Sequence, residues 1–371
     1  MKKIFLIIII LSSILLSQDE DTFFNMLYVD RQPSTKIESM GRCGVAVPDE
    51  MFSVFYNPAL VSNINGLTVS SSMVSPYPSF AESKFSFIGI GYSLKKKLSF
   101  GLSIYNYSSK TIAATDTNGI SLGNLEPKAN DYKFTISISP NRAFSMGISG
   151  KYVTSNMLDK TDYFKEEKGF DMDIGIHQIV AVTRNRNYRQ RISIGISFMN
   201  LFSADIGDYK LPRIMNTGVN FSFIPRVGTI IPRINTILFT FTGEYQKQWE
   251  SEYHSGMKFG SELLIAEMVS LRCGYYWDKV NDKDETIYPF ADSLDPEMQS
   301  YSYKVYEYIE EFTYGFGLTI PLYKFYGESI PLNIKFDYAN MKYPESTDID
   351  YNYDNINSYS LSVNWIMRME D

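Results

Sequence analysis

Only two cysteines, two histidines and three tryptophans occur in 371 residues. Two cysteines, Cys43 and Cys273, are too few for a disulfide framework, and both a single bridge and two unpaired thiols are open readings. The histidines, His177 and His254, lie far apart, and no G-x-S-x-G, P-loop, H-E-x-x-H or C-x-x-C run occurs. We therefore expect neither an enzyme nor a metal or cofactor site. Basic charge is also short: Lys and Arg number 35 against 42 Asp and Glu, for a formal charge of −7. A phosphate backbone needs a basic surface, so nucleic acid is not an expected partner. Beyond the first residues no run of 18 apolar residues appears, which excludes helical membrane spans and leaves strands as the only way across a bilayer.

The N-terminus has the one long apolar run. Lys2 and Lys3, then Ile4 to Leu16, then Ser17 before the polar QDED, read as a secretory signal over 1–17. Its removal would take both lysines and shift the formal charge to about −9.

What is abundant is aromatic: 28 Tyr and 25 Phe. They fall within a repeated pattern. In RISIGISFMN (191–200), Ile192, Ile194, Ile196 and Phe198 alternate with Arg191, Ser193, Gly195 and Ser197. LSFGLSIYNY (98–107) and FTYGFGLTI (312–320) follow the same template. Period two places the apolar set on one face of a strand and the small polar set on the other. A sheet whose second face is Ser, Gly and Thr would make a poor sandwich core, whereas a barrel with lipid outside and a polar lumen inside fits it.

About fourteen such segments follow one another, and their connections alternate between short basic turns, such as KKK (95–97) and PNRA (140–143), and longer, more acidic loops, such as DKVNDKDE (278–285). This is the asymmetry of outer-membrane barrels, with short periplasmic turns and long external loops. The expected fold is all-β: a transmembrane antiparallel β-barrel of about 14 strands over 66–371, in the outer membrane of a diderm bacterium, both termini periplasmic. Outer-membrane lipid is then its first partner. Trp277 and Tyr338 are expected in the interfacial aromatic girdles, and 298–311 is the one stretch with a helical look. Residues 18–65, punctuated by Gly, Pro and Asn, do not read as strands and are expected to form a periplasmic hatch or plug. Cys273 falls on the lipid side by parity, beside Leu271 and Tyr275, which weighs against a bridge to Cys43.

Parity also selects the lumen charges. In GFDMDIGIHQ (169–178), Asp171, Asp173 and His177 share the polar face. Lys133, Lys151, Arg191, Lys258 and Arg272 are the cations available to pair with them, and Glu244, Glu262 and Asp337 are further interior acids. Two readings apply, a titratable or cation-binding cluster and a charge network that fills the lumen; the second is the commoner outcome.

MGRCGVAVPDEMFSVFYNPAL (40–60) resembles the N-terminal signature of the FadL-like outer-membrane superfamily, and more closely its PorV/PorQ branch, with Asn57, Pro58 and Ala59 as the most specific part. ISFMNLFSADIGDYKLPRIMNTGVNFSF, GMKFGSELLIAEMVSLRCGYYW and FDYANM extend the resemblance along most of the mature chain. The PorV-like resemblance implies a component of type IX-like protein secretion and surface attachment, with secretion machinery or secreted cargo proteins as partners. The alternative it implies is a FadL-like channel for a small hydrophobic molecule, with an apolar pocket near the hatch. The Asn57-Pro58-Ala59 turn is family-specific, and on its own residue chemistry it is a tight structural turn.

Overall fold

The computed structural model describes residues 31–74, 83–94, 97–115, 121–156, 166–207, 209–225, 237–249, 255–287, 301–326, 329–341 and 356–366. The expected signal at 1–17, the first part of the expected hatch segment and both chain ends lie outside these residues.

Fourteen strands form one closed barrel. In chain order they are β1 (Leu67–Val74), β2 (Lys84–Leu94), β3 (Leu98–Ser108), β4 (Lys128–Asn141), β5 (Phe144–Ser155), β6 (Glu167–Arg184), β7 (Tyr188–Met199), β8 (Ile214–Pro225), β9 (Ile237–Gln248), β10 (Ser255–Ile265), β11 (Val269–Ile287), β12 (Tyr301–Ile320), β13 (Leu332–Met341) and β14 (Ile356–Trp365). Each pairs antiparallel with its sequence neighbours, and β1 closes the ring on β14 through Leu67 to Trp365 and Val74 to Ser358. A closed ring leaves no unpaired edge. Among the described residues no helix is long and apolar enough to cross a membrane.

Alternation sorts the wall as period two demands. On β3, Ser99, Ser103 and Tyr105 are buried inside, while Leu102 and Ile104 are exposed outside. The same exterior carries Ile88, Ile148, Val219, Phe241, Leu271 and Phe316, so the barrel is belted with exposed apolar side chains. Tyr338 lies in an aromatic row on this surface, its ring centroid 5.2 Å from Phe316 and 5.4 Å from Tyr359. Cys273 is on the outside and Cys43 is buried in the interior; both are free thiols.

Residues 301–311 depart from the expected helix. They continue β12, and Glu307 to Tyr301 pair with Asn281 to Ile287 of β11. Tyr301, Tyr303 and Val305 also alternate with polar neighbours, so the ladder with β11 decides for strand over a weak helical period. Among the described residues this part of the hairpin has no other strand partner: β10 meets β11 only as far as Lys279, and β13 meets β12 only from Thr313. The hairpin therefore stands beyond the wall at the long-loop end.

The lumen is filled by residues 31–66. Helix α1 (Thr35–Glu38) starts at Ser34, whose side chain caps the amide of Ile37 at 3.0 Å. A 3-10 turn (Glu50–Phe52), helix α2 (Ser53–Tyr56) and a second 3-10 turn (Pro58–Asn63) follow. This hatch runs from Arg31, whose carbonyl accepts from the Tyr105 hydroxyl at 3.0 Å near the long-loop end, to Gly66 at the start of β1. Wall glycines 147, 195, 260 and 274 lie directly behind its main chain, at Pro58, Val45, Met40 and Gly41 respectively. With no side chain there, backbone packs on backbone.

Candidate functional site

Three features meet in the lumen: a pinned turn, separate groups of paired charges and an apolar cluster toward the long-loop end.

The pin is Asn57. Its Oδ1 accepts from the amide of Ala59 at 3.0 Å, starting the 3-10 turn with Pro58 in the first position. Its Nδ2 donates to the carbonyl of Val45 at 2.8 Å and to that of Ile176 in β6 at 3.0 Å. One buried amide thus caps a turn, ties two parts of the hatch and fastens both to the wall. A Cβ at Gly175 would stand 2.0 Å from Asn57 Oδ1, so this wall position is kept clear for the amide.

The charges form separate groups. Asp173 takes Lys151 at 2.6 Å and Lys133 at 3.0 Å and accepts from the amide of Asn200 at 2.8 Å; Lys133 also lies 3.4 Å from Asp131. Asp171 instead accepts from the amides of Phe202 and Ala204, each at 2.9 Å, and so holds the segment after β7 folded into the barrel, where Ile206 and Leu211 are fully buried. Across the lumen Lys258 meets Glu244 at 3.3 Å and Gln246 at 2.6 Å, and Glu244 accepts from the amide of Val45 in the hatch at 2.8 Å. Arg272 bridges Glu262 and Asp337, each at 2.7 Å. His177 and Arg191 join none of these groups: His177 shares a face with the two aspartates but sits toward the short-turn end.

Sequence reasoning left Lys335 out of this set. It lies 3.2 Å from Asp337 and reaches Asp49 at 2.8 Å and Glu50 at 3.0 Å, clasping the hatch to β13. The i, i+2 spacing of Lys335 and Asp337 was the available signal. Burial works to raise the Asp49 carboxyl, but Lys335 and Lys36 outweigh it and hold it well below the usual carboxylate range. For Glu50 burial is again the largest influence; Lys335 opposes it, the Asp49 charge adds to it, and the carboxyl is pushed up to about 7. A second clasp joins Arg42 to Glu38 at 3.1 Å and to Glu311 at 3.7 Å, with the guanidinium 4.1 Å from the centre of the Tyr276 ring. Glu311 did not stand out in the sequence, because its partner Arg42 comes from the opposite end of the chain, although Arg42 and Glu38 stand at i, i+4.

Toward the long-loop end the interior changes character. Along β2 the inward positions run Phe85, Phe87, Gly89 and Gly91, and along β3 Tyr107, Tyr105 and Ser103. Val74, Ala129, Val153, Met341 and Ile356 complete an apolar wall, which packs on Phe52, Phe55 and Tyr56 of the hatch. Phe52 lies 5.0 Å from Phe87 and Phe55 lies 5.5 Å from Tyr105, ring centre to ring centre. Among the described residues no three His, Cys, Asp or Glu side chains are grouped to hold a metal.

No family model and no curated protein matches the sequence. Among solved structures, the chain is similar to the toluene transporter TodX of Pseudomonas putida at TM-score 0.47 and 9% identity, over 95% of this chain and 100% of that one. A FadL homologue of Pseudomonas aeruginosa gives TM-score 0.46 at 8% identity, over 91% and 98%. The toluene transporter TbuX of Ralstonia pickettii gives 0.45 at 9%, over 90% and 97%.

Proposed function

We propose that this chain is an outer-membrane barrel, without catalytic activity, that admits small hydrophobic molecules from the long-loop side and holds them back at the hatch. This is the FadL-like reading of the family resemblance. The apolar cluster toward the long-loop end carries it. Inward positions of a barrel are ordinarily polar, yet here Val74, Phe85, Phe87, Tyr105, Tyr107 and Val153 form an apolar cluster packed against Phe52 and Phe55 of the hatch. A wall serving only to seal the lumen could be closed by charge pairs, as its lower half is. An apolar cluster on the long-loop side offers a nonpolar solute that displaces its packing a favourable partition out of water, at about 25 cal/mol per Å² of surface removed.

The test is uptake of N-phenylnaphthylamine into vesicles carrying the folded barrel. Uptake faster than in protein-free vesicles, and reduced severalfold by Phe87→Gln, supports the reading. Equal uptake with and without the barrel refutes it.

The hairpin beyond the wall favours a second reading, a PorV-like role in secretion or surface attachment. Paired strands 281–287 and 301–307 offer a partner protein a surface outside the bilayer. Recovery of secretion components or cargo proteins with the tagged barrel from its native membrane, lost when the hairpin is shortened, would move the function to that role.

A further inference from the structure

At the short-turn end a cavity of about 380 Å³ lies between the end of the hatch and the turn joining β4 to β5. Ser62, Asn63, Ile64 and Asn65 form its hatch side, and Arg142, Ser145 and His177 are its chief polar groups on the wall side. It is separate from the charge groups above it, and no carboxylate lines it.

Two observations point to a ligand. His177 is only 5% exposed, and its Nε2 has no hydrogen-bond partner among the described residues. A buried polar atom left unsatisfied costs free energy, and a cavity that holds a polar partner removes that cost. The second is the charge of the rim. The turns joining β4 to β5 and β6 to β7 are neighbours, tied where the amide of Ile179 donates to the carbonyl of Ala143 at 2.7 Å. These turns and the strand ends beside them carry Arg142, Arg184, Arg186, Arg189 and Arg191, and neither 137–149 nor 176–199 contains an Asp or Glu. Asp171 and Asp173, the acids on the same face as His177, are committed to the segment after β7 and to the lysines. A rim of arginines without counter-charges raises the local potential for anions.

We propose that this cavity binds a small oxyanion, a carboxylate or inorganic phosphate, using His177 and Ser145 from the wall, Arg142 from the turn and Asn65 from the hatch. Because the site takes one side from the hatch and the other from the barrel, occupancy joins them and holds the hatch in place. The solute path begins at the opposite end of the lumen, so the oxyanion acts as a latch on the hatch and is not the solute carried.

The experiment is calorimetric titration of the full-length barrel in detergent, separately with inorganic phosphate and with acetate, at ionic strength fixed with chloride. Saturable binding of one of them, weakened at least tenfold by Arg142→Gln and by His177→Gln, is the expected result, and the anion that saturates identifies the source. Both variants must show the gel migration of the folded barrel; if His177→Gln does not fold, Arg142→Gln, at an exposed turn, decides alone. Failure of both anions to saturate, or binding unchanged in Arg142→Gln, overturns the proposal.

Discussion

A methyl group on Gly274 would sit 1.9 Å from the amide nitrogen of Gly41, and one on Gly175 would sit 2.0 Å from the side-chain oxygen of Asn57. Neither wall strand can retreat without breaking its ladder, so the hatch must move. Overpacking of this kind costs about 1 to 3 kcal/mol. Cys43 supplies the readout. It is fully buried in the docked hatch, and burial, aided by Glu244, pushes its thiol well above its ordinary value. In a Cys273→Ser background, Gly274→Ala should raise maleimide labelling of Cys43 roughly ten- to hundredfold, following from that cost; unchanged labelling would mean that the hatch does not bear on β11. On the outer face, Ile194→Arg should cost about 2 to 4 kcal/mol of folding into lipid if the position lies near the bilayer midplane, measured as urea-induced unfolding in vesicles.

At the scale of elements, the hatch is fastened by Lys335, Asp49 and Glu50, and the two acids respond to pH in opposite ways. Asp49 is held low, so its contribution is present above about 3.8 and is lost only as the medium becomes strongly acidic. Glu50 is pushed up to about 7 from an ordinary 4.5, so the docked hatch retains a proton that the released hatch gives up. Its contribution is therefore full below 4.5 and fades as pH rises through about 7. Protease cleavage of the hatch should increase between pH 6 and 8, roughly the span over which a group near 7 titrates, and Glu50→Gln should flatten that rise. A rise that survives in Glu50→Gln would assign the pH response to another group. Lys335→Met should expose the hatch across the whole range.

These elements also divide what sequence could reveal from what it could not. Alternation made the strands, the lumen face of Asp171, Asp173 and His177, and the outward face of Cys273 legible, because facing follows from parity alone. It could not show that Asp171 and Asp173 have different work, since their partners, the amides after β7 and the lysines of β4 and β5, lie at unrelated distances along the chain. The contribution of Lys335 was hidden for the same reason: its partners on the hatch are 286 and 285 residues away. The residues of the apolar cluster were missed because an inward Phe85 or Val153 breaks the polar-inside template only locally, near a strand end, where an alternating pattern is weakest.

For the whole molecule, the barrel and the projecting hairpin are energetically separable. Among the described residues, 281–287 and 301–307 form strand pairs only with each other, so replacing 280–308 by a short turn should leave the heat-modifiable gel shift of the barrel and the burial of Cys43 unchanged. Loss of the gel shift would show that the hairpin helps the barrel close. The same deletion separates the two functional readings, since it removes the surface offered to a partner protein and leaves the apolar cluster intact.

The hatch touches wall positions all round the ring: Ser72 on β1 through the carbonyl of Pro33, Ser137 on β4 through the carbonyl of Ala59, Glu244 on β9 through the amide of Val45, Thr313 on β12 through the amide of Gly41, and Ser358 on β14 through the hydroxyl of Thr35. It is made before any strand, yet its contacts with β12 and β14 span 272 and 323 residues. A folded disc of fixed width, met by the first and last strands alike, acts as a gauge. A ring short of one hairpin would be too tight for it, and a ring with one more would leave it loose. The N-terminal segment that fills the finished barrel thus fits one circumference, and the strand count is written partly into residues that belong to no strand.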